Sequence, residues 1–288
     1  MPLKPEAQRK DTRLKGQSDG PKTGKRLHSL FAADGGATAA FTSKVDDYVA
    51  ARPPYPRQLF AFFSEVVGIK KGARVIDVGA GTGLFTAGLL EHGYEVLAVE
   101  PNEGMRRASD DLLRGHAGYC SAPGSAEVLP VAAGSADFIT AAQAFHWFDL
   151  ERARTEFLRV LRPGGRVALV WNDRVLADSL HQALDGIFAE FGGKKREALV
   201  SRETQREVPR FFGSCTHAQL QWPHEQVLSE AGLQSLVFSR SYMPVPNSEQ
   251  GMEVAKATTQ VFRRFAAGGL VPLRYTALAF VGRPHGAD

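Results

Sequence analysis

Short apolar runs alternate with amphipathic stretches between residues 57 and 281, and this alternation predicts a sheet flanked by helices. Runs of four to eight apolar and β-branched residues predict strands, whereas apolar residues spaced three or four apart predict helices. The predicted strands are 74–78, 95–99, 136–141, 166–171, 236–242 and 274–281. The predicted helices are 57–67, 86–92, 105–113, 152–161, 179–191 and 254–265. Strands and helices that alternate in this way are typical of α/β proteins with a parallel sheet.

Composition divides the chain into a polar leader and one folded domain. Residues 1–30 contain eight basic and three acidic residues and almost no aromatic ones, so we expect a disordered leader, solvated rather than bound to nucleic acid or membrane. Residues 31–288 are expected to form a single domain with a charge close to neutral. Its expected parts are an N-terminal lid segment (41–72), a core (73–175), a variable helical cap (176–235) and terminal strands (236–288).

Cysteine usage and hydropathy narrow the class of protein. Cys120 and Cys215 are too few for a disulfide framework, and neither they nor the eight histidines have metal-ligand spacing, so we expect reduced thiols and no bound metal. No apolar run approaches the roughly 18 residues of a membrane span, and no apolar stretch follows the basic N-terminus as in a secretory signal. We therefore expect a cytoplasmic protein without a membrane partner.

A glycine-rich turn follows the first predicted strand. Asp77 lies in that strand, and Gly79, Gly81 and Gly83 follow it. Glycines allow a tight turn and a close approach to a ligand, and the N-terminus of the next helix favours negative charge. Glu100 ends the second strand, 21 residues after Gly79, where a carboxylate is suited to accept hydrogen bonds from ribose hydroxyls. The arrangement predicts a site for a nucleotide-like cofactor.

The spacing of these glycines distinguishes two kinds of cofactor. The dinucleotide fingerprint G-x-G-x-x-G/A needs a small residue at position 84, and Leu84 there disfavours a pyrophosphate. S-adenosylmethionine (SAM) has no pyrophosphate but carries an ammonium and a sulfonium, beside which Asp77 places negative charge. The pattern therefore favours SAM. An NAD-dependent oxidoreductase and a glycine turn without any ligand are the alternatives.

Five segments occur in an order that is similar to a known family. They read YVAARPPYP at 48–56, VIDVGAGTG at 75–83, GSAEVLP at 124–130, AFHWFD at 144–149 and LRPGG at 161–165. Together they resemble the class I SAM-dependent methyltransferases of the methyltransferase type 11-like kind, and most closely the trans-aconitate methyltransferase-like branch. The resemblance covers roughly residues 41–175. It implies a Rossmann-like, doubly wound, seven-stranded and mostly parallel sheet that ends in an antiparallel pair.

The resemblance also implies which positions bind SAM. The glycine turn and Asp77 would hold the methionine part, Glu100 the ribose, and the loop at Ser125 the adenine, although many class I enzymes have Asp where Ser125 stands. Gln143 would line the methionyl side, and the lid segment would close over the cofactor. The full set is Tyr48, Arg52, Asp77, Gly79, Ala80, Gly81, Gly83, Glu100, Pro101, Ser125, Ala126 and Gln143.

The chemistry of methyl transfer makes few demands on the protein. Transfer from a sulfonium is an in-line displacement in which the protein supplies position, and an anionic carboxylate acceptor needs no general base. An alcohol or phenol is helped by one, and His146, after a central strand, is the candidate base, with a packing role as its alternative. The candidate acceptor-binding residues are Tyr55, Trp147, Asn172 and Arg174, and Arg52 is a further candidate for an acceptor carboxylate.

The predicted function is methyl transfer from SAM to a small molecule, at a carboxylate or hydroxyl of a metabolite. A nucleic-acid methyltransferase is the main rival because of the basic leader. Enzymes that methylate exocyclic base nitrogens carry (N/D)-P-P-(Y/F/W) after the fourth strand, however, and this chain reads AFHW at 144–147. The near-neutral body also lacks a basic stripe. A SAM-binding protein without catalysis is the third interpretation.

Overall fold

The computed structural model describes residues 44–201, 207–213 and 217–285. The predicted leader, the first residues of the lid segment and Cys215 lie outside these ranges. The helices are α1 (Val45–Ala51), α2 (Arg57–Glu65), α3 (Leu84–Glu91), α4 (Glu103–Leu113), α5 (Leu150–Val160), α6 (Ser179–Ser201), α7 (Val208–Phe212), α8 (Glu230–Phe238) and α9 (Glu249–Phe265). The strands are β1 (Arg74–Val78), β2 (Glu95–Val99), β3 (Tyr119–Ala122), β4 (Ala136–Ala142), β5 (Leu161–Arg174), β6 (His217–Leu228) and β7 (Val271–Gly282).

Within the described residues, seven strands form one sheet in the order β3-β2-β1-β4-β5-β7-β6. Strands β1 to β5 pair in parallel, and β7 runs antiparallel between β5 and β6. The predicted doubly wound, mostly parallel seven-stranded sheet is confirmed. In such sheets ligands bind outside the carboxyl ends of the strands. The glycine turn and the segments that follow β2, β4 and β5 all lie at this edge.

Apolar clusters cover both faces of the sheet because neighbouring residues of a strand point to opposite sides. Ile76 packs on one face with Phe157 of α5 and Phe211 of α7. Val75 packs on the other face with Phe63 of α2 and residues of α3. A third cluster joins α6, α8 and α9 to the first half of β7. Because β7 is antiparallel, that half extends past the carboxyl end of β5, so these helices form a cap at the ligand-binding edge.

The predicted strand at 236–242 is wrong, because residues Glu230–Phe238 form α8. Ser229 caps this helix, and its Oγ accepts a hydrogen bond from the Gly232 N–H at 3.3 Å. The buried residues of the helix have helical spacing, and they are Leu233, Leu236, Val237 and Phe238. An N-cap serine followed by apolar residues at helical spacing favours a helix more strongly than the short run of strand-forming residues favours a strand.

Two strands were absent from the sequence prediction, β3 and β6. The cap region 176–235 is therefore not wholly helical, since it contains β6. This strand lies at the sheet edge and carries Pro223, a residue that an edge strand tolerates because one row of its backbone groups is unpaired. Its polar, weakly alternating sequence gave no strand signal.

Strand β5 begins at Leu161, five residues before the predicted start. The predicted turn at Pro163–Gly165 lies inside the strand, where the pairing with β4 changes register between Ala136 and Phe138. The predicted strands 74–78 and 95–99 are confirmed at both ends, and the remaining predicted helices and strands are confirmed with one or both ends shifted. Helices α4 and α5 begin early because Asn102 and Asp149 cap them. None of the helices in the described ranges is long and apolar enough to cross a membrane.

Candidate active site

The glycine turn between β1 and α3 has a backbone that other residues rarely adopt. The φ angles are +70° at Gly79, +57° at Gly81 and +83° at Gly83, all in the left-handed region. A Cβ at Gly79 would lie 2.6 Å from the Ala144 Cβ, so this glycine also permits close packing on the segment after β4. A Cβ at Gly81 would meet nothing within 4 Å. The turn is therefore packed at Gly79 and open at Gly81.

Asp77 is enclosed beneath this turn, with 1% of its surface exposed. Its two oxygens accept hydrogen bonds from Thr86 Oγ1 at 2.7 Å and Thr140 Oγ1 at 2.8 Å. Burial raises the pKa of Asp77 to about 6, and the two hydroxyl donors act against that rise. Asp77 thus joins β1 to α3 and β4. At neutral pH its carboxylate also places negative charge beside the glycine turn.

Glu100 stands at the end of β2 with both carboxylate oxygens directed to backbone N–H groups. Oε2 accepts from Gly81 N at 3.0 Å, and Oε1 accepts from Asn102 N at 2.8 Å. Burial raises the pKa of Glu100, whereas these two bonds and Arg106 lower it. Each carboxylate oxygen can accept more than one hydrogen bond, so a fixed Glu100 can still accept from hydroxyl groups. Pro101, next in the chain, is exposed.

The loop predicted to lie beside adenine is folded against β2. Ser125 and Val128 exchange two backbone hydrogen bonds, of 3.3 and 3.2 Å, which close a short turn. Ala126 is buried and Ser125 is half-buried. A Cβ at Gly124 would lie 2.8 Å from Val99 Cγ1, so glycine allows the loop to approach the last residue of β2. The loop therefore lies next to Glu100 at the same edge of the sheet.

The segment after β4 carries His146 and Trp147. Gln143 has φ +55°, a left-handed angle on a residue other than glycine, and its side chain donates to the Asn172 carbonyl at 3.1 Å. Residues Phe145–Trp147 form a single 3-10 turn, in which the His146 and Trp147 rings lie 5.2 Å apart and both are half-buried. A strained residue at the end of a central strand is common at functional sites.

The lid segment is fastened to the sheet and to the cap. Arg52 Nη2 donates to the Ser239 carbonyl, at the C-terminus of α8, at 3.1 Å. The Tyr55 ring packs edge-on against Phe85, in the first turn of α3, at 4.8 Å. Tyr48 belongs to α1, and its side chain lies outside the described parts of the structure. Arg52 and Tyr55 thus lie at the edge of the sheet where the glycine turn is found.

Asn172, predicted to bind the acceptor, instead uses its side chain for hydrogen bonds within the protein. Its Nδ2 donates to the carbonyls of Pro53 and Pro54 at 3.2 and 3.1 Å, and its Oδ1 lies 2.5 Å from His224 Nε2. The side chain is buried, and these three bonds join the lid segment, β5 and β6. Arg174, two residues further, pairs with Asp185 of α6 at 2.9 Å and lies 5.1 Å above the Phe188 ring.

Several residues that shape this edge were not singled out from the sequence. They are Thr86, Thr140, Asn102, His224, Arg240 and Tyr275. Asn102 had a recognisable signal, since it stands one residue before the acidic first turn of a helix. The others come from separate segments and meet Asp77, Asn172 or Arg174 only through the fold.

Comparison with known proteins agrees with this geometry. A family model described as a methyltransferase domain matches residues 76–169. An uncharacterized methyltransferase from Mycobacterium tuberculosis is 36% identical over 204 residues, which cover 70% of this chain and 77% of that protein. This chain belongs to the methyltransferase family. A structure of a type II methyltransferase from Anaeromyxobacter dehalogenans covers 81% of this methyltransferase and 99% of its own chain, with 26% identity and a TM-score of 0.56.

A more distant structure supports the fold alone. The YcgJ protein from Bacillus subtilis is 16% identical with a TM-score of 0.51, and the match covers 81% of this methyltransferase. Among the relatives with a named activity, the malonyl-[acyl-carrier protein] O-methyltransferase from Methylococcus capsulatus is 42% identical over 121 residues, which cover 40% of this chain and 44% of that protein. The fold and the family are therefore those of the class I methyltransferases.

Proposed function

We propose that this methyltransferase binds SAM at the glycine turn and transfers its methyl group to a carboxylate or hydroxyl of a small molecule. The observation that carries the proposal is the pairing of an open Gly81 with a Glu100 carboxylate that the same turn holds in place. A class I methyltransferase needs both features, room for the methionine part and an acceptor for the ribose hydroxyls.

The residues at this edge fit SAM group by group. Gly79 and Gly81 would allow the methionine part close to the backbone, while the buried Asp77 would act on its cationic end through charge. Glu100 keeps acceptor capacity for the ribose, and the folded loop at Ser125 would cover the adenine. The remaining predicted contacts to SAM are Ala80, Gly83, Pro101, Ala126, Gln143, Tyr48 and Arg52.

The protein's part in the reaction is to position the acceptor and exclude water. When bound, SAM supplies an electrophilic methyl group on its sulfonium. An acceptor carboxylate is already anionic, so the site needs only to align its oxygen with that methyl group. For a hydroxyl acceptor, a half-buried His146 beside Trp147 would take the proton. Tyr55 and Trp147 would form apolar walls of the acceptor space.

Two observations favour a carboxylate. Arg52 and Arg174 reach the ligand-binding edge from the lid segment and from β5, and a guanidinium suits a carboxylate. The Methylococcus capsulatus relative is named for methylation on a malonyl group. The resemblance of segments 48–56 and 144–149 to the trans-aconitate methyltransferase-like branch supports the same choice of acceptor.

A screen of methyl acceptors tests the proposal. The full chain would be incubated with SAM labelled in its methyl group and with mono-, di- and tricarboxylic acids including trans-aconitate, phenols, duplex DNA and a transfer RNA. We expect label in a small carboxylic acid and none in nucleic acid. Label in nucleic acid only would contradict the small-molecule assignment, and SAM binding without any labelled product would favour a non-catalytic SAM-binding protein.

Replacement of His146 by alanine tests the base. With a carboxylate acceptor we expect kcat to change less than about threefold at every pH from 6 to 9, because no proton has to leave the acceptor. A loss of roughly a hundredfold or more that changes with pH would instead assign His146 as general base and point to a hydroxyl acceptor.

A further inference from the structure

Two arginines from distant segments share one aromatic ring in the cap. Arg174 ends β5 and Arg240 follows α8, and their guanidinium carbons lie 5.1 and 5.2 Å from the centroid of Phe188 on α6. Tyr275 of β7 is paired with Arg174 across the sheet, and its side chain is 1% exposed. The cationic cluster, as we call Arg174, Arg240 and Tyr275, thus forms where β5, β7 and the cap helices meet.

The charge of this cluster is not balanced by the acidic side chains of the residues that the structure describes. Asp185 pairs with Arg174 and also with Arg196, each at 2.9 Å, so one carboxylate serves two guanidinium groups. No acidic side chain in the described residues pairs with Arg240. Burial and the neighbouring Arg240 lower the pKa of Arg174. Partly buried charge without a counter-charge is costly, which favours the binding of an anion here.

Three buried donors point to the same conclusion. Arg174 Nη1, Arg240 Nε and the Tyr275 hydroxyl have no hydrogen-bond partner among the residues that the structure describes. Buried polar groups are nearly always satisfied in folded proteins, so three orphans in one cluster need an explanation. Burial raises the pKa of Tyr275, and the charges of Arg240, Arg52 and Arg174 act against that rise. Carboxylate and phosphate oxygens accept from such a set.

The cluster lies on the side of the molecule where the cofactor is expected. Arg174 is two residues from Asn172, which holds the lid segment, and Arg52 of that segment contacts the C-terminus of α8 directly before Arg240. His224 stacks on Tyr275 with ring centroids 5.6 Å apart and bonds to Asn172. The cationic cluster and the lid segment therefore belong to one connected region.

We propose that Arg174, Arg240 and the Tyr275 hydroxyl bind an oxyanion group of the methyl acceptor, separate from the atom that receives the methyl group. The inference rests on the proposed function for its reference to an acceptor, and it names Arg240 as a residue that determines specificity. It predicts acceptors with a carboxylate or phosphate that anchors one end of the molecule. Neutral molecules of the same shape would be poor substrates.

Calorimetric titration of the full chain tests the anion site without a known acceptor. Malonate and inorganic phosphate are the probes, and Arg240→Gln is compared with Arg263→Gln, which removes the same charge from an exposed position on α9. We expect one of the probes to bind with 1:1 stoichiometry, and we expect Arg240→Gln alone to weaken this binding about tenfold or more. Absence of binding to the wild type up to about 10 mM, or equal binding by the two variants, would overturn the site.

Tyr275→Phe provides a second variant that keeps the fold intact. Because the buried hydroxyl has no partner among the described residues, its removal should leave the thermal midpoint unchanged or raise it, while anion affinity falls several-fold. A structural role for the hydroxyl would instead lower the midpoint and leave anion affinity unchanged. That result would remove Tyr275 from the site even if Arg240→Gln were poorly folded.

Kinetics with the first acceptor found distinguish an acceptor group from a free anion. Arg240→Gln should raise the KM for that acceptor about tenfold or more, with little change in kcat or in the KM for SAM. An unchanged acceptor KM in a variant that has lost malonate or phosphate binding would mean that the site binds a free anion, against the proposal. Anion binding without any SAM binding would refute the proposed function alone, and SAM binding without anion binding would refute this inference alone.

Discussion

The two halves of the candidate site differ in how their polar groups are satisfied. In the cofactor half, the carboxylates of Asp77 and Glu100 each accept two hydrogen bonds from the protein itself. In the proposed acceptor half, donors of Arg174, Arg240 and Tyr275 are buried without acceptors in the part of the chain that the structure describes. The protein itself satisfies the polar groups of the first half, whereas those of the second half suit the oxyanion that we propose as their ligand.

This difference suggests that the cofactor half is rigid and that the proposed acceptor half determines substrate specificity. A preorganised cofactor half binds the same donor in every turnover, so fixed hydrogen bonds and glycine geometry suit it. The proposed acceptor half is assembled from β5, β7 and the cap helices, which are far apart along the chain.

Gly81→Arg should have the largest effect, because it fills the open side of the turn. A Cβ at this position meets nothing within 4 Å, so the space for the methionine part is lost without a clash at the Cβ, and the strain of a side chain at a left-handed φ is shared by the control below. We expect SAM affinity to fall roughly a thousandfold or more, about 4 kcal/mol, in a calorimetric titration. The matched control is Gly68→Arg, another left-handed glycine with open surroundings. Equal SAM affinity in both variants would show that the turn does not hold the cofactor.

Asp77→Asn tests whether the cofactor half contains a buried charge. The pKa of Asp77 is about 6 in the folded protein and 3.8 in the reference state, so protonation favours folding. The stabilisation that the protonated Asp77 carboxyl gives the folded state is fully present below pH 3.8 and is lost as the pH rises through 6. The free energy of unfolding changes by roughly 3 kcal/mol over this range. The stability of Asp77→Asn relative to wild type should therefore increase by that amount between pH 4 and 7. Urea unfolding at each pH measures it, and a constant difference would contradict the assignment.

Glu100→Gln should have a smaller effect on the same half. Glutamine keeps one carbonyl acceptor but replaces the second oxygen with an NH₂ group, which opposes either the Gly81 or the Asn102 N–H. We expect SAM to bind about tenfold more weakly while anion binding at the cationic cluster is unchanged. Glu95→Gln is the control, because that carboxylate is exposed at the other end of the same strand. A tenfold loss in both variants would point to a general effect of charge.

Residues of the cofactor half are close together in sequence, whereas those of the acceptor half are far apart, so only the first group could be predicted from sequence patterns. Gly79 to Gly83 and Glu100 are close in sequence, and strand pairing between β1 and β2 follows from local patterns. The acceptor half brings together Arg52, Arg174 and Arg240, which are far apart along the chain. Arg240 follows a helix where a strand was predicted, so its position at the cluster could not be foreseen.

Asn172 shows a second limit of sequence reasoning. A polar residue at the end of a parallel strand is a reasonable candidate for ligand binding. Its side chain instead satisfies the carbonyls of Pro53 and Pro54, which have no partners in a regular element. Such a role appears only once the path of the lid segment is known.

Calorimetric titration of the wild-type protein with SAM, with NADH as a parallel control, tests the central claim most directly. We expect 1:1 binding of SAM with micromolar affinity and no binding of NADH, because the glycine turn and Glu100 are arranged for a ribose without a pyrophosphate. Binding of NADH, or no SAM binding by well-folded protein, would contradict it.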